Sequence, residues 1–132
     1  TINFGEDADN LRYDATSGIV YVAYGSGGLG LVEAKNGRLI KKILLDDHPE
    51  AFAKQDTLVF VNIPDARQLA TISLKTGKVI NKTSFITSLG NFPLALDSVN
   101  HRLFVGFRIP PRLKILDSQT MKTIATLKID RD

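Results

Sequence analysis

Asp7, Asp9, Asp46, Asp47, His48, Glu50 and Asp65 fall in short polar stretches between apolar runs. An oxygen-rich set of this kind can hold a hard cation such as calcium. The spacing follows no metal-ligand motif, however, and Asp in such stretches more often caps backbone N–H groups in turns. Asn10 and Asn91 carry the same two readings, as ligand-facing amides or as turn residues. His48 could serve as a ligand or a base, or be a hydrogen-bonded structural imidazole. The other histidine, His101, lies between Asn100 and Arg102 and reads as surface. Arg67, Arg108 and Arg112 form a second set. Guanidinium forks suit carboxylate and phosphate, so together they would take an anionic ligand. The alternative is that Asp65 and the acidic stretches pair with them, in ion pairs worth little when exposed.

Other chemistries find less support. Nucleophilic catalysis needs a serine within reach of a histidine and an acid; Ser26 and Ser88 are available, but no G-x-S-x-G elbow exists. Gly25-Ser26-Gly27-Gly28 is glycine-rich but opens no helix, so it lacks the terminus that cradles a phosphate. The absence of cysteine removes disulfides, thiolate nucleophiles, cysteine-ligated metals and covalent haem attachment. No cofactor is implied by the residues. Lys and Arg number 17 against 14 Asp and Glu, a charge of +3 spread along the chain rather than gathered into a block, so nothing demands nucleic acid. Tyr24, Phe92 and Phe107 beside the arginines are a thin version of a single-strand-binding face. The longest apolar runs, such as Ile19 to Tyr24, fall far short of the ~18 residues a bilayer span needs. The sequence opens on Thr1 with no Met, charged n-region or apolar h-region, so the expectation is that a leader either never existed or lies outside it.

The elements that must carry these residues recur. Val20-Tyr21-Val22, Val59-Phe60-Val61 and Leu103-Phe104-Val105 each set an aromatic between aliphatics, with the aromatics 39 and 44 residues apart. Eight residues before each aromatic stands Tyr13, Phe52 or Leu96, and after each come 29–37, 69–77 and 113–121, which align without a gap. Short runs rich in Val, Ile, Phe and Tyr, bounded by turn residues, are strands. Four per unit are expected: 11–14, 19–24, 29–34 and 38–45; 50–54, 58–63, 69–74 and 78–86; 93–97, 102–107, 112–117 and 122–129. Thr1 to Phe4 would be the last strand of a preceding unit. Asn36-Gly37 predicts a two-residue type I′ hairpin, Thr76-Gly77 repeats it, and Thr120-Met121 argues for a different turn. Tyr13, Tyr21, Phe52, Phe60, Leu96, Phe104 and Ile115 are the expected core. Four antiparallel strands at this period are β-propeller blades. The fold class is therefore all-β, with three four-stranded repeats at about 5–45, 46–89 and 90–132 in a single segment covering 1–132. Rings close with about four to eight blades, so three leave the ring incomplete. The sequence is then a piece of a longer propeller, or copies self-associate to complete a ring, or the end faces are covered otherwise.

VYVAYG (20–25), FVNIPD (60–65), NFPLALD (91–97), HRLFVGFR (101–108) and the opening GEDADNLRYD (5–14) resemble the YVTN-repeat, YncE-like β-propeller proteins over nearly the whole chain. The signature itself is changed here to Tyr21-Val22-Ala23-Tyr24, Phe60-Val61-Asn62-Ile63 and Phe104-Val105-Gly106-Phe107. The resemblance implies a periplasmic or extracellular scaffold or binding module, with redox enzymes among relatives of the same shape. In a propeller the loops from the last strand of one blade to the next, and those between second and third strands, emerge on one face and carry ligands. That face would gather Asp7, Asp9, Asn10, His48, Glu50, Asp65, Arg67, Asn91, Arg108 and Arg112. The leading expectation is a non-enzymatic scaffold binding a protein or small molecule there. The alternatives are part of a lactonase-like or redox propeller enzyme with a metal or cofactor on the loop face, and, more weakly, a single-stranded DNA binder.

Overall fold

The computed structural model describes residues 1–130, which form twelve strands and no helix. β1 (Asn10–Asp14), β2 (Ile19–Tyr24), β3 (Gly28–Glu33) and β4 (Arg38–Leu44) make the first antiparallel sheet. β5 (Phe52–Gln55), β6 (Leu58–Ile63), β7 (Gln68–Ser73) and β8 (Lys78–Ser84) make the second. β9 (Leu94–Asp97), β10 (Arg102–Arg108), β11 (Pro111–Asp117) and β12 (Thr123–Lys128) make the third. Each sheet is a plain meander in sequence order, the arrangement of a propeller blade, and the blades do not close a ring.

Burial follows strand alternation. Tyr21, Leu29, Leu31 and Ile43 of the first sheet meet Phe52, Val59, Val61 and Ile72 of the second in one apolar layer. Phe60, Leu69 and Phe85 meet Leu103, Val105, Phe107 and Leu116 of the third in another. The central sheet is covered on both faces, which is why β6 and β7 read as continuous buried runs rather than alternating ones.

Several expectations are corrected. Residues 1–9 form no strand; the segment lies irregularly on the first sheet, with the Phe4 ring 4.9 Å from that of Tyr24 and Asn3 O accepting from Lys42 Nζ at 2.9 Å. The interval of eight residues does not mark equivalent positions. Asp56-Thr57 joins β5 to β6 in two residues, where the other blades use four, so the pairing shifts by two. Leu11 opposite Val22 corresponds to Phe52 opposite Val61 and Leu94 opposite Val105, while Tyr13 corresponds to Lys54 and Leu96. Tyr13 is consequently exposed on the uncovered side of the first sheet rather than in the core, and Leu96, Phe104 and Ile115 are half-buried.

The hairpins joining third to fourth strands also differ from expectation. Four residues, not two, span each of the first two, with positive φ only at the last, Gly37 (67°) and Gly77 (66°). Met121 takes the same conformation at 62°, so the third copy uses the same backbone bond: Met121 N–H to Asp117 O at 2.7 Å, as Gly37 to Glu33 O at 2.9 Å. The left-handed region is costly for a side chain such as Met. Here the Asp117 carboxylate holds the turn by accepting from Gln119 and Thr120 N–H, and the Met121 side chain packs on the second apolar layer.

Candidate functional site

The loops expected on one face divide into two unlike clusters. At the junction of the first two sheets the carboxylates of Asp9, Asp46 and Asp47 are engaged, while Asp7 and Glu50 are tied through their backbones. Asp46 accepts from Gln68 Nε2 at 2.8 Å and Lys82 Nζ at 2.7 Å, which hold its carboxyl below the usual range, Lys82 foremost. Asp47 Oδ1 accepts from the His48 backbone N–H. Asp7 adopts φ +53° and its carbonyl accepts from Gly25 N–H. Asn10 is the first residue of β1, and its side chain accepts from Arg12 rather than facing a ligand. The Glu50 backbone N–H donates to Asn62 O. Among the described residues no three of His, Asp and Glu gather as a metal-binding group, so the acidic set, although near one face, does not converge.

His48 ties three loops together. Its Nδ1 lies 2.5 Å from Gly25 O in the β2–β3 connection, and its Nε2 lies 3.5 Å from Asp9 Oδ2 ahead of β1. The Gly25 carbonyl raises its pKa above 6.5, aided by Asp9 and Glu50 against a smaller opposing effect of burial. With both ring nitrogens engaged, the imidazole is a clasp. It closes one wall of a 540 Å³ cleft lined by Phe4, Asp7, Tyr24, Ser26 and Leu44. A raised folded-state pKa stabilises the protein fully below about pH 6.5 and loses that contribution as pH climbs through the raised value. The urea midpoint should therefore fall between about pH 6 and pH 8 more in the parent than in His48→Gln. Equal falls would remove the clasp from the account.

At the junction of the second and third sheets Arg67 and Arg108 are exposed, together with Asp65. Arg67 is exposed at φ +53°, with its carbonyl fixed by the Phe85 N–H at 2.8 Å. The Phe85 ring meets Phe107 edge-on at 4.8 Å. Arg108 follows Phe107, and its guanidinium lies 3.9 Å above the Phe92 ring, a stacking contact open to further ligands on its edge. Arg112 is half-buried and donates from Nη1 to Pro111 O at 3.0 Å. Among the described residues none of these arginines is ion-paired, and Asp65, exposed in the same loop as Arg67, pairs with neither it nor the others. The expected screening partnership is not made. Ile86, 85% exposed, and Ile109, 58% exposed, add apolar surface beside them.

Asn91 is not on this surface. It is fully buried and donates from Nδ2 to Asn62 Oδ1 at 3.1 Å and to Gln68 O at 2.9 Å. Asn62 in turn donates to the carbonyls of Phe92 and Pro93 at 3.3 and 3.2 Å. A loop asparagine read as ligand-facing is thus the bracket that holds the Phe92 segment to β6. Its partner Asn62 could have been found in the sequence, as the one polar residue inside the apolar run LVFVNI. Ser88 is likewise buried. A further cleft, of about 490 Å³, follows the first strands of the three sheets and is bordered by Arg12, Asp14, Phe52, Lys54 and Leu96. There the Ser17 hydroxyl and then the Lys54 ammonium, 3.1 Å away, bring the Asp14 carboxyl down to about 2.

No protein-family description matches the sequence, and no curated protein matches it. Solved structures do. The chain is similar to hydrazine synthase of Kuenenia stuttgartiensis at TM-score 0.78 and 11% identity, over 91% of this chain and 35% of that one. It is similar to U3-55K at TM-score 0.79 and 11% identity, over 92% and 39%. The WD40 repeats of RRP9 give TM-score 0.80 and 12% identity, over 92% and 38%. At such identities the likeness is one of fold, and it places the three sheets among WD40 and other β-propeller-type blades. The chain spans well under half the length of these structures.

Proposed function

We propose that these blades form a non-catalytic binding module of the YVTN-repeat, YncE-like kind, working in the periplasm or at the cell surface, whose loop face takes an acidic protein segment. The observation that carries this reading is the arginine set at the junction of the second and third sheets, which makes no ion pair among the described residues. Exposed Arg67 and the Phe92-stacked Arg108 stand beside exposed Ile86 and Ile109, so a cationic edge borders an apolar one. Arginine and aromatic anchors rimmed by apolar surface favour protein partners, and complementary charge gives them orientation and speed. Enzymatic readings have less behind them, because His48 is engaged through both nitrogens and the acidic residues do not converge. A single-strand-binding face would need several open rings; Tyr24 and Phe107 are buried, leaving Phe92.

A short peptide carrying several glutamates and one leucine should bind at low salt and weaken steeply toward physiological salt. Arg108→Ser should weaken it about tenfold, equivalent to about 1.4 kcal/mol. Equal affinity for Arg108→Ser, or equal binding of the uncharged analogue, would overturn the reading, as would an oligonucleotide of the same charge binding more tightly.

A further inference from the structure

Charge is sorted across the width of the blades. The third-to-fourth-strand hairpins with the outermost strands, residues 34–44, 74–84 and 118–128, hold nine of the 17 Lys and Arg and none of the 14 Asp and Glu. All nine cations are exposed, and among the described residues Lys35, Lys75, Lys78 and Lys122 make no ion pair. The outermost strands also share a bulge. In each the pairing slips by one residue, and the residue left over is an isoleucine: Ile40 between Leu39 and Lys41, Ile80 between Val79 and Asn81, Ile124 between Thr123 and Ala125. The three are 43%, 56% and 49% exposed. Ile80 belongs to the sheet that is covered on both faces, so its exposure is a property of the rim and not of an open end.

Bulges and lysines protect a sheet edge from pairing with another strand, but that task needs no exposed isoleucine. The residue types point to an occupant. The rim has one arginine, Arg38, already 3.6 Å from Glu33, and no aromatic, so it lacks the guanidinium forks and rings that nucleic acid and protein partners favour. Lysine with an aliphatic anchor and no carboxylate suits an anionic bilayer, where lysines near the headgroups add attraction and an apolar side chain enters the acyl boundary. Each sheet is a meander in sequence order, so the three hairpins lie at the same end of the blades, opposite the loop face. Lys41 Nζ reaches Thr76 O of the next hairpin at 3.5 Å, and a flat surface meets the hairpins together. The carboxylates at that end belong to first and third strands and their turns. Asp14 is held by Lys54 and Ser17, Asp97 by Asn100 and Asp117 by the Gln119 and Thr120 N–H groups, while Asp56 is exposed. We propose that the hairpin end of the blades docks on an anionic lipid bilayer, with Ile40, Ile80 and Ile124 entering it between the lysines.

The test is co-sedimentation of the chain with vesicles of phosphatidylcholine and phosphatidylglycerol, against vesicles of phosphatidylcholine alone. The parent should bind the anionic vesicles at low salt and not the neutral ones. Lys35→Gln, Lys75→Gln, Lys78→Gln and Lys122→Gln together should weaken binding about tenfold or more, and Ile40→Ser, Ile80→Ser and Ile124→Ser together about threefold or more. All of these positions are exposed, so both variants should keep the parent's sheet spectrum and thermal transition. Amide exchange of the vesicle-bound parent reads the same surface without substitution, and should slow in 34–44, 74–84 and 118–128. No binding to the anionic vesicles would overturn the proposal, as would slowing confined to the loop face. Unchanged affinity in the isoleucine variant, or tighter binding of the parent to soluble polyphosphate or an oligonucleotide, would mean attraction by charge alone and would overturn it too.

Discussion

Replacing Phe52 with alanine should lower the unfolding free energy by about 3–5 kcal/mol, the range for truncating a buried aromatic in a packed core. Leu11→Ala, at the register-equivalent position one sheet earlier, should change it by less than about 0.5 kcal/mol in single chains at high dilution. Phe52 is 2% exposed between two sheets, while Leu11 is 58% exposed on a face with no sheet over it. The contrast comes from blade stacking: one strand position is core where a neighbour covers it and surface where none does. Denaturant unfolding of the two variants side by side checks this. Similar losses for both would mean that the first sheet's outer face is covered in a way the structure does not contain.

Asn62→Leu should cost about 2–4 kcal/mol even though leucine suits the apolar strand around it. The change removes the donor to the Phe92 and Pro93 carbonyls and the acceptor of the Asn91 amide. Buried polar groups left without partners cost about 1–3 kcal/mol each, and burying extra methyl surface offsets only part of that. There is a functional consequence, because the bonds lost are those that hold the Phe92 ring beneath Arg108. The variant should therefore bind the acidic peptide more weakly than the parent while still folded, in mild conditions, with its sheet spectrum intact. An unchanged denaturant midpoint would show that the Asn62 and Asn91 pair is incidental to the loop. A lowered midpoint with unchanged peptide affinity would separate the bracket from the binding surface.

Most of the fold is legible in the sequence because strand signals are local. Ile19–Tyr24 and Leu58–Ile63 stand where the runs of Val, Tyr, Phe and Ile put them, and most other strand ends move by a residue or two. What escapes is whatever depends on loop length or on a neighbour. The two-residue turn at Asp56-Thr57 moves Tyr13 out of the equivalence with Phe52, a change invisible to spacing measured from one aromatic. Met121 adopts the glycine conformation because Asp117 and the apolar layer hold it there, and turn propensity alone argues the other way.

The loop face is legible in outline only. Placing Arg67 and Arg108 on open loops follows from the blade pattern. The sorting of charge does not. Asp46 is engaged by Gln68 and Lys82 from the second sheet and Asp9 by His48, while Asp65, exposed beside Arg67, makes no ion pair among the described residues. Asn91 looked like its neighbours in composition and was turned inward by Asn62, a contact spanning 29 residues of sequence.

The most direct measurement of the binding account is a titration of isotope-labelled protein with the glutamate-rich peptide, followed by backbone amide shifts. The account predicts shifts gathered at Asp65–Arg67, Phe85–Ile86, Phe92 and Arg108–Ile109, fading as salt is raised. Shifts gathered instead around Ser26 and His48, or along Arg12 and Lys54 on the first strands, would place the binding surface elsewhere and contradict it.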